Sequence, residues 1–130
     1  MRIDWAPDPM DALRAAAPAM DARVLQRLRK GKLKPEARLD LHGMTLDRAH
    51  PALTQFILSA QAQGRRLVLV ITGKGRAAQD APAHRRGILR NAVPGWLGQA
   101  PLRAAVMQVV PAHDRHGGGG AYYVYLRRRR

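Results

Sequence analysis

Apolar residues recur along this chain in two alternating rhythms. In residues 37–42, Leu39 and Leu41 fall on one side, Asp40 and His42 on the other, the period-two pattern of a half-buried strand. Beyond Thr45, an expected N-cap with Asp47 in the first turn, the period changes. Ala49, Leu53, Phe56, Ile57 and Ala60 return every three or four positions, predicting a helix that Gly64 stops. Pro51 removes one backbone bond from its second turn, so the helix either starts late or has a loose first turn. Residues 66–72 are a continuous apolar run, as expected of a central strand covered on both faces. A loop over 73–83 follows. Ile88, Leu89 and Ala92 then mark a helix over 84–93, with Pro94-Gly95 ending it and Trp96 and Leu97 plugging the core beside it. Residues 103–110 are a third strand, and 111–120 a turn-rich link. Residues 121–127 are a fourth strand, with Tyr122, Val124 and Leu126 set against Tyr123 and Tyr125.

The resulting order is β-α-β-α-β-β, an α/β fold with a mixed four-stranded sheet and two helices. Helical crossovers between the first three strands predict that they run parallel, and the short link before the fourth predicts an antiparallel return. Residues 1–36 differ in character. Asp8-Pro9 resembles a helix start, Pro18 interrupts an alanine run, and residues 21–30 carry an apolar stripe (Val24, Leu25, Leu28) beside a basic face (Arg23, Arg27, Arg29, Lys30). The stretch reads as a basic helical arm and linker that docks on the domain or on a partner. The domain proper is 37–127, and 128–130 is a basic tail.

Composition narrows the function. The chain has 130 residues with 23 Lys plus Arg against 9 Asp plus Glu, a formal net charge of +14. Such a balance points to a polyanion, nucleic acid before an anionic membrane. With no cysteine there is no thiol nucleophile, disulfide framework or Cys-ligated metal. No stretch is apolar for long enough to span a membrane, and acidic residues near the start argue against a leader, so a cytoplasmic protein is expected.

Ligand sites in an open α/β sheet gather outside the carboxyl ends of parallel strands. Four of the five histidines and two glycine-rich loops fall at that edge. Asp40 and His42, two positions apart, share a face: Asp orients an imidazole that acts as acid or base, or alternatively it caps the turn beside a structural histidine. Thr72-Gly73-Lys74-Gly75 is either a phosphate cradle of backbone N–H groups or a tight turn with one solvated lysine, and its spacing is not that of a nucleotide-binding P-loop. Gly117 to Gly120 permit close approach of a nucleic-acid backbone, or form a flexible turn. Arg85 and Arg86, near the second helix start, join Arg65, Arg66 and the terminal arginines as a phosphate-attracting surface. His42, His113 and His116, with Asp114, leave a divalent metal open as a cofactor, although His-x-x-His is a weak pattern. Tyr123 and Tyr125 either stack bases on an open face or lie buried under the arm.

Three elements in this order carry a family resemblance: Leu39-Asp40-Leu41-His42-Gly43-Met44-Thr45, Thr72-Gly73-Lys74-Gly75, and His116 through Leu126. Together they resemble the Smr (small MutS-related) domain over residues 37–127, and the arm resembles the stand-alone bacterial members. The resemblance implies a two-layer α/β sandwich like the C-terminal domain of bacterial translation initiation factor three. It also implies nucleic-acid binding and, in many members, endonuclease activity: nicking of DNA, or cleavage of RNA linked to mRNA on stalled ribosomes. The family's cleavage element carries onto Asp40 and His42, and its glycine loop onto Thr72 to Gly75.

The expectation is an Smr-type endonuclease, RNA favoured over DNA. His42 would be the base or acid, and Asp40 its orienting group. Gly43, Thr72, Gly73, Lys74, Gly75, Arg85, Arg86, Gly118, Gly119 and Gly120 would be the phosphate-binding set, with His113 or His116 as partner acid. No resident metal is assigned. The expected partners are nucleic acid and the ribosome, without a membrane. The alternative is a non-catalytic module binding RNA, the ribosome or branched DNA.

Overall fold

The computed structural model describes residues 20–73 and 87–128. Helix α1 (Ala22–Arg29) precedes strand β1 (Ala37–Asp40), helix α2 (Leu46–Ala62), strand β2 (Leu67–Ile71), helix α3 (Ile88–Leu97), strand β3 (Val106–Pro111) and strand β4 (Ala121–Leu126). The sheet order is β1-β2-β4-β3. β1 and β2 pair in parallel, while β4 lies antiparallel to both β2 and β3. The first three strands therefore share one direction, and the last runs back between the second and third.

Side-chain alternation divides the interior into two cores. Val68 and Val70 of β2, with Tyr122, Val124 and Leu126 of β4, meet Ala49, Leu53 and Ile57 of α2 and Leu89, Val93 and Leu97 of α3. On the other face Leu67, Leu69, Val110, Ala121 and Tyr123 meet Leu25 and Leu28 of α1. β2 is thus covered on both sides, which explains its unbroken apolar run. The sandwich of sheet and two helices gains a partial third layer from α1, because Leu25 and Leu28 have nowhere else to hide from water.

Asp21 starts α1 by accepting from the N–H groups of Arg23 and Val24 at 2.8 and 3.3 Å. It closes at Gly31 in a Schellman turn: Gly31 N–H donates to Leu28 O and Lys32 N–H to Arg27 O, both at 3.0 Å. α2 ends identically, with Gly64 N–H donating to Gln61 O and Arg65 N–H to Ala60 O.

Several boundaries differ from expectation. α2 starts early, at Leu46, and carries Pro51 inside it; Thr45 holds the N-cap position without a side-chain cap bond. α3 does not stop at Pro94-Gly95 but runs on to Leu97, since the residues after Val93 keep the apolar spacing that buries Leu97. Trp96 is half-buried, packs against the core under α2 and α3 and stacks on His50 of α2 with centroids 4.5 Å apart, closing the helix–helix seam. The third strand begins at Val106, because residues 102–104 form a 3₁₀ turn. Gly118–Gly120 is also a 3₁₀ turn, so the glycine run is an ordered bend and not a slack one. Among the described residues no helix is long and apolar enough to cross a membrane.

Candidate active site

β1 shows Arg38 and Asp40 to solvent and turns Ala37 and Leu39 inward. Register sets Asp40 beside Ile71 and then Ala121, and Arg38 beside Leu69 and then Tyr123. The exposed residues of β1 therefore stand on the face that α1 partly covers, at the carboxyl edge of the parallel strands.

Directly past that edge the chain turns at Gly43, whose φ of +80° is a left-handed conformation that glycine takes without penalty. His42 is folded back by this turn. Asp40 Oδ1 accepts from the backbone N–H of His42 at 3.0 Å and lies 2.6 Å from its Nδ1. The side chains of His42 and Asp40 remain 66% and 48% exposed, so both are open to a substrate. Asp40 thus closes the turn and also holds the imidazole in one orientation. Burial alone would raise the Asp40 pKa, but the hydrogen bonds from His42 and the positive charge of Arg38 outweigh it and hold the carboxyl below its ordinary value. The carboxylate therefore stays ionised, which keeps the His42 Nδ1 proton in place and leaves Nε2 to receive one.

The second loop lies alongside. A Cβ on Gly73 would sit 3.4 Å from the His42 Cβ, so the two motifs are neighbours. The amides of Thr72 and Gly73 are already committed, however: both donate to Gly120 O, at 2.8 and 3.0 Å. The buried Thr72 hydroxyl is directed at Gly73 O and Gly120 O. These two residues tie the loop to the Gly118–Gly120 turn and are not a free phosphate cradle. Gly118 and Gly120 are buried, and Gly119 O accepts from Arg90 Nε of α3 at 2.7 Å, so this turn supports the site from beneath. Lys74, Gly75, Arg85 and Arg86 lie outside the described residues.

The third cluster follows β3. His113 caps a short 3₁₀ turn, its Nδ1 accepting from Arg115 N–H at 3.1 Å, and its ring rests on Gly31 of the arm. Arg115 Nη1 donates to Gly31 O at 3.4 Å. His116 is half-buried, with Nδ1 against the hydroxyl of Tyr123. Burial and the positive charges of Arg115, His113 and Arg38 lower the His116 pKa, which sets His116 and Arg38 in one electrostatic neighbourhood. Of the two histidines held out as partner acids, His113 is engaged with the arm and its own turn, whereas His116 rests on Tyr123, which the sheet register aligns with Leu69 and Arg38. Among the described residues no group of three or more His, Asp or Glu side chains is placed to hold a metal, so His42, His113 and His116 do not converge as a ligand set.

Neither tyrosine is an open stacking platform. Tyr123 is fully buried, and Arg66 lies over the ring of Tyr125 at 5.0 Å. Arg66 also donates to Leu126 O, and Arg65 to Glu36 O, so these arginines brace the opposite sheet edge. Arg38, beside the candidate site, is the residue that motif reading passed over. Arg38 was signalled by its place two positions before Asp40, on the same strand face.

Comparison with known proteins agrees with this arrangement. The model of the Smr domain family matches residues 39–127. The chain is 38% identical over 105 residues to the probable DNA endonuclease SmrA of Escherichia coli, covering 81% of this chain and 52% of that protein. It is 30% identical over 106 residues to the ribosome rescue factor SmrB of Haemophilus influenzae, covering 82% and 55%. The chain spans about half the length of these curated relatives. Among solved structures, YdaL, a stand-alone small MutS-related protein from Escherichia coli, superposes with a TM-score of 0.66 at 36% identity, covering 84% of this chain and 78% of that one. The Smr domain of Thermus thermophilus MutS2 gives 0.57 at 27% identity, covering 70% and 98%.

Proposed function

The chain belongs to the Smr domain family, and on that premise we propose that it is a nucleic-acid endonuclease acting on RNA, with Asp40 and His42 at its centre. The observation that carries this reading is the Asp40–His42 pair, with its 2.6 Å contact, on a solvent-open sheet edge beside Arg38. An imidazole held by a carboxylate at Nδ1 presents Nε2 as a proton acceptor, the arrangement that general-base chemistry needs.

RNA supplies its own nucleophile. His42 Nε2 takes the proton of a 2′-hydroxyl, and the 2′-oxygen bonds to the adjacent phosphorus. The bond from phosphorus to the 5′-oxygen breaks, and that oxygen leaves with a proton from a donor in the site or from water. The products are a 2′,3′-cyclic phosphate and a 5′-hydroxyl end. Arg38 offers a fixed positive charge near the phosphoryl oxygens as negative charge builds there. The net charge of +14 draws the polyanion in. Relatives named ribosome rescue factors make mRNA on the ribosome the substrate context to test first.

The test is cleavage of a labelled single-stranded RNA beside the same sequence with 2′-deoxyribose at the cut positions, and a supercoiled plasmid, each with Mg²⁺ and with EDTA. We expect cyclic-phosphate ends from the RNA, no cutting of the deoxy-substituted strand, and no product from an Asp40→Ala/His42→Ala double variant that still binds. Plasmid nicking with intact RNA would shift the substrate to DNA, in line with the name of SmrA. Tight binding without product on every substrate would leave a binding module.

A further inference from the structure

Resting on the endonuclease reading, we propose that Tyr123 is a positioning residue. Its hydroxyl holds His116 in the tautomer with the proton on Nε2, so His116 meets the substrate phosphate as a hydrogen-bond donor and not as a base. One buried oxygen, the Tyr123 hydroxyl, fixes where the protons lie. Tyr123 is fully buried, so its hydroxyl has no access to bulk water. The oxygen accepts from the backbone N–H of His113 at 3.3 Å. Its remaining contact is His116 Nδ1. A phenol has one proton to give, and a buried donor left without an acceptor is costly. The proton therefore goes to Nδ1, which must be the bare nitrogen, and the His116 proton sits on Nε2. The rings meet edge to face, at 75°, which suits an in-plane bond to Nδ1.

His113 cannot compete for that proton, because its own Nδ1 already accepts from Arg115 N–H. The groups facing His116 are Arg115 and His113 on its own turn, Arg38 on β1 and Tyr123 on β4. Three of the four are basic and one is a neutral phenol, so nothing there favours a second proton on the ring. A neutral imidazole with Nε2–H is too weak an acid to protonate a leaving group, but it is a well-directed donor to an anionic oxygen. Beside Arg38 it completes a positive and hydrogen-bonding surface for the phosphate. His42, whose Nδ1 proton is held by Asp40, has the opposite free valence at Nε2. The two histidines are thus set by their partners for complementary tasks: His42 accepts, His116 donates.

Two measurements on the full chain test this. In ¹⁵N-histidine spectra, with His116 assigned from the His116→Gln variant, Nε2 is expected to carry the proton and Nδ1 none. Tyr123→Phe, checked for folding by circular dichroism, should leave the ring averaging between tautomers. In RNA cleavage, Tyr123→Phe should lower kcat about tenfold with KM little changed. His116→Ala should lose about a hundredfold. His116→Gln keeps an N–H donor but cannot titrate, so it should retain much of the rate. A protonated Nδ1 in the wild type overturns the proposal, and so does a His116→Gln enzyme as inactive as His116→Ala. A chain that cuts no RNA refutes the RNA-cleavage reading, and with it the role of His116 in that reaction, while the spectrum still decides what Tyr123 holds.

Discussion

Gly31 joins the arm to the candidate site, and Gly31→Ala measures how firmly. Its φ of +70° lies in the left-handed region, where an L side chain costs roughly 1–2 kcal/mol. A Cβ there would also sit 2.7 Å from His113 Cγ, 2.8 Å from Cβ and 2.9 Å from Nδ1. The ring cannot swing aside freely, because its Nδ1 caps the 3₁₀ turn that leads to His116. Displacing packed atoms in this way costs about 1–3 kcal/mol more. Gly64 provides a matched control. It ends α2 in the same Schellman turn, at a φ of +79°, with nothing within 4 Å of its would-be Cβ. Gly64→Ala should therefore lose only the backbone cost, and Gly31→Ala about 1–3 kcal/mol beyond it. On thermal unfolding a domain of this size loses about 4 °C per kcal/mol, so the two variants should separate clearly. Equal losses in urea titration would refute the reasoning, since they would mean that the arm does not rest on His113 in solution.

Three other outcomes follow from the same geometry. Asp40→Asn keeps an oxygen for both His42 bonds and removes only the charge; because the pair is largely exposed, the cleavage rate should fall about tenfold. A loss as large as that of Asp40→Ala would show that the carboxylate does more than hold the imidazole. Leu28→Ala, in the core beneath α1, should cost about 3 kcal/mol by urea titration, and a change under 1 kcal/mol would mean that the arm is not docked. The His116 pKa is lowered in the folded state, so the unfolded chain binds more protons as pH falls below about 6.5, and stability should decline there. Asp40, also lowered, adds a separate decline below about pH 3.9, and His116→Gln should abolish only the upper one.

Much of the molecule is legible in one dimension because its cues are local. The alternation around Leu39 and Leu41, the helical spacing from Ala49 to Ala60 and the two-sided apolar run of β2 specify elements whose neighbours in space are also neighbours in sequence. The strand directions follow from the crossovers, and the Asp40–His42 pair from a two-residue spacing on one strand face. The failures have a common cause. Pro94 looks like a stop, but the burial of Leu97 carries the helix through it. Thr72 and Gly73 look like free donors, but Gly120, 48 residues from Thr72, has taken them. For Tyr123 the spacing left open either a stacking surface or burial under the arm, and only the docking of α1 decided for burial, with two histidines sharing its hydroxyl. Periodicity along the chain determined the elements and their directions, and a two-residue spacing placed Asp40 and His42 on one strand face. The tertiary structure alone decided which polar groups are already satisfied, because a hydrogen bond across the sheet depends on register and burial and leaves no trace in local spacing.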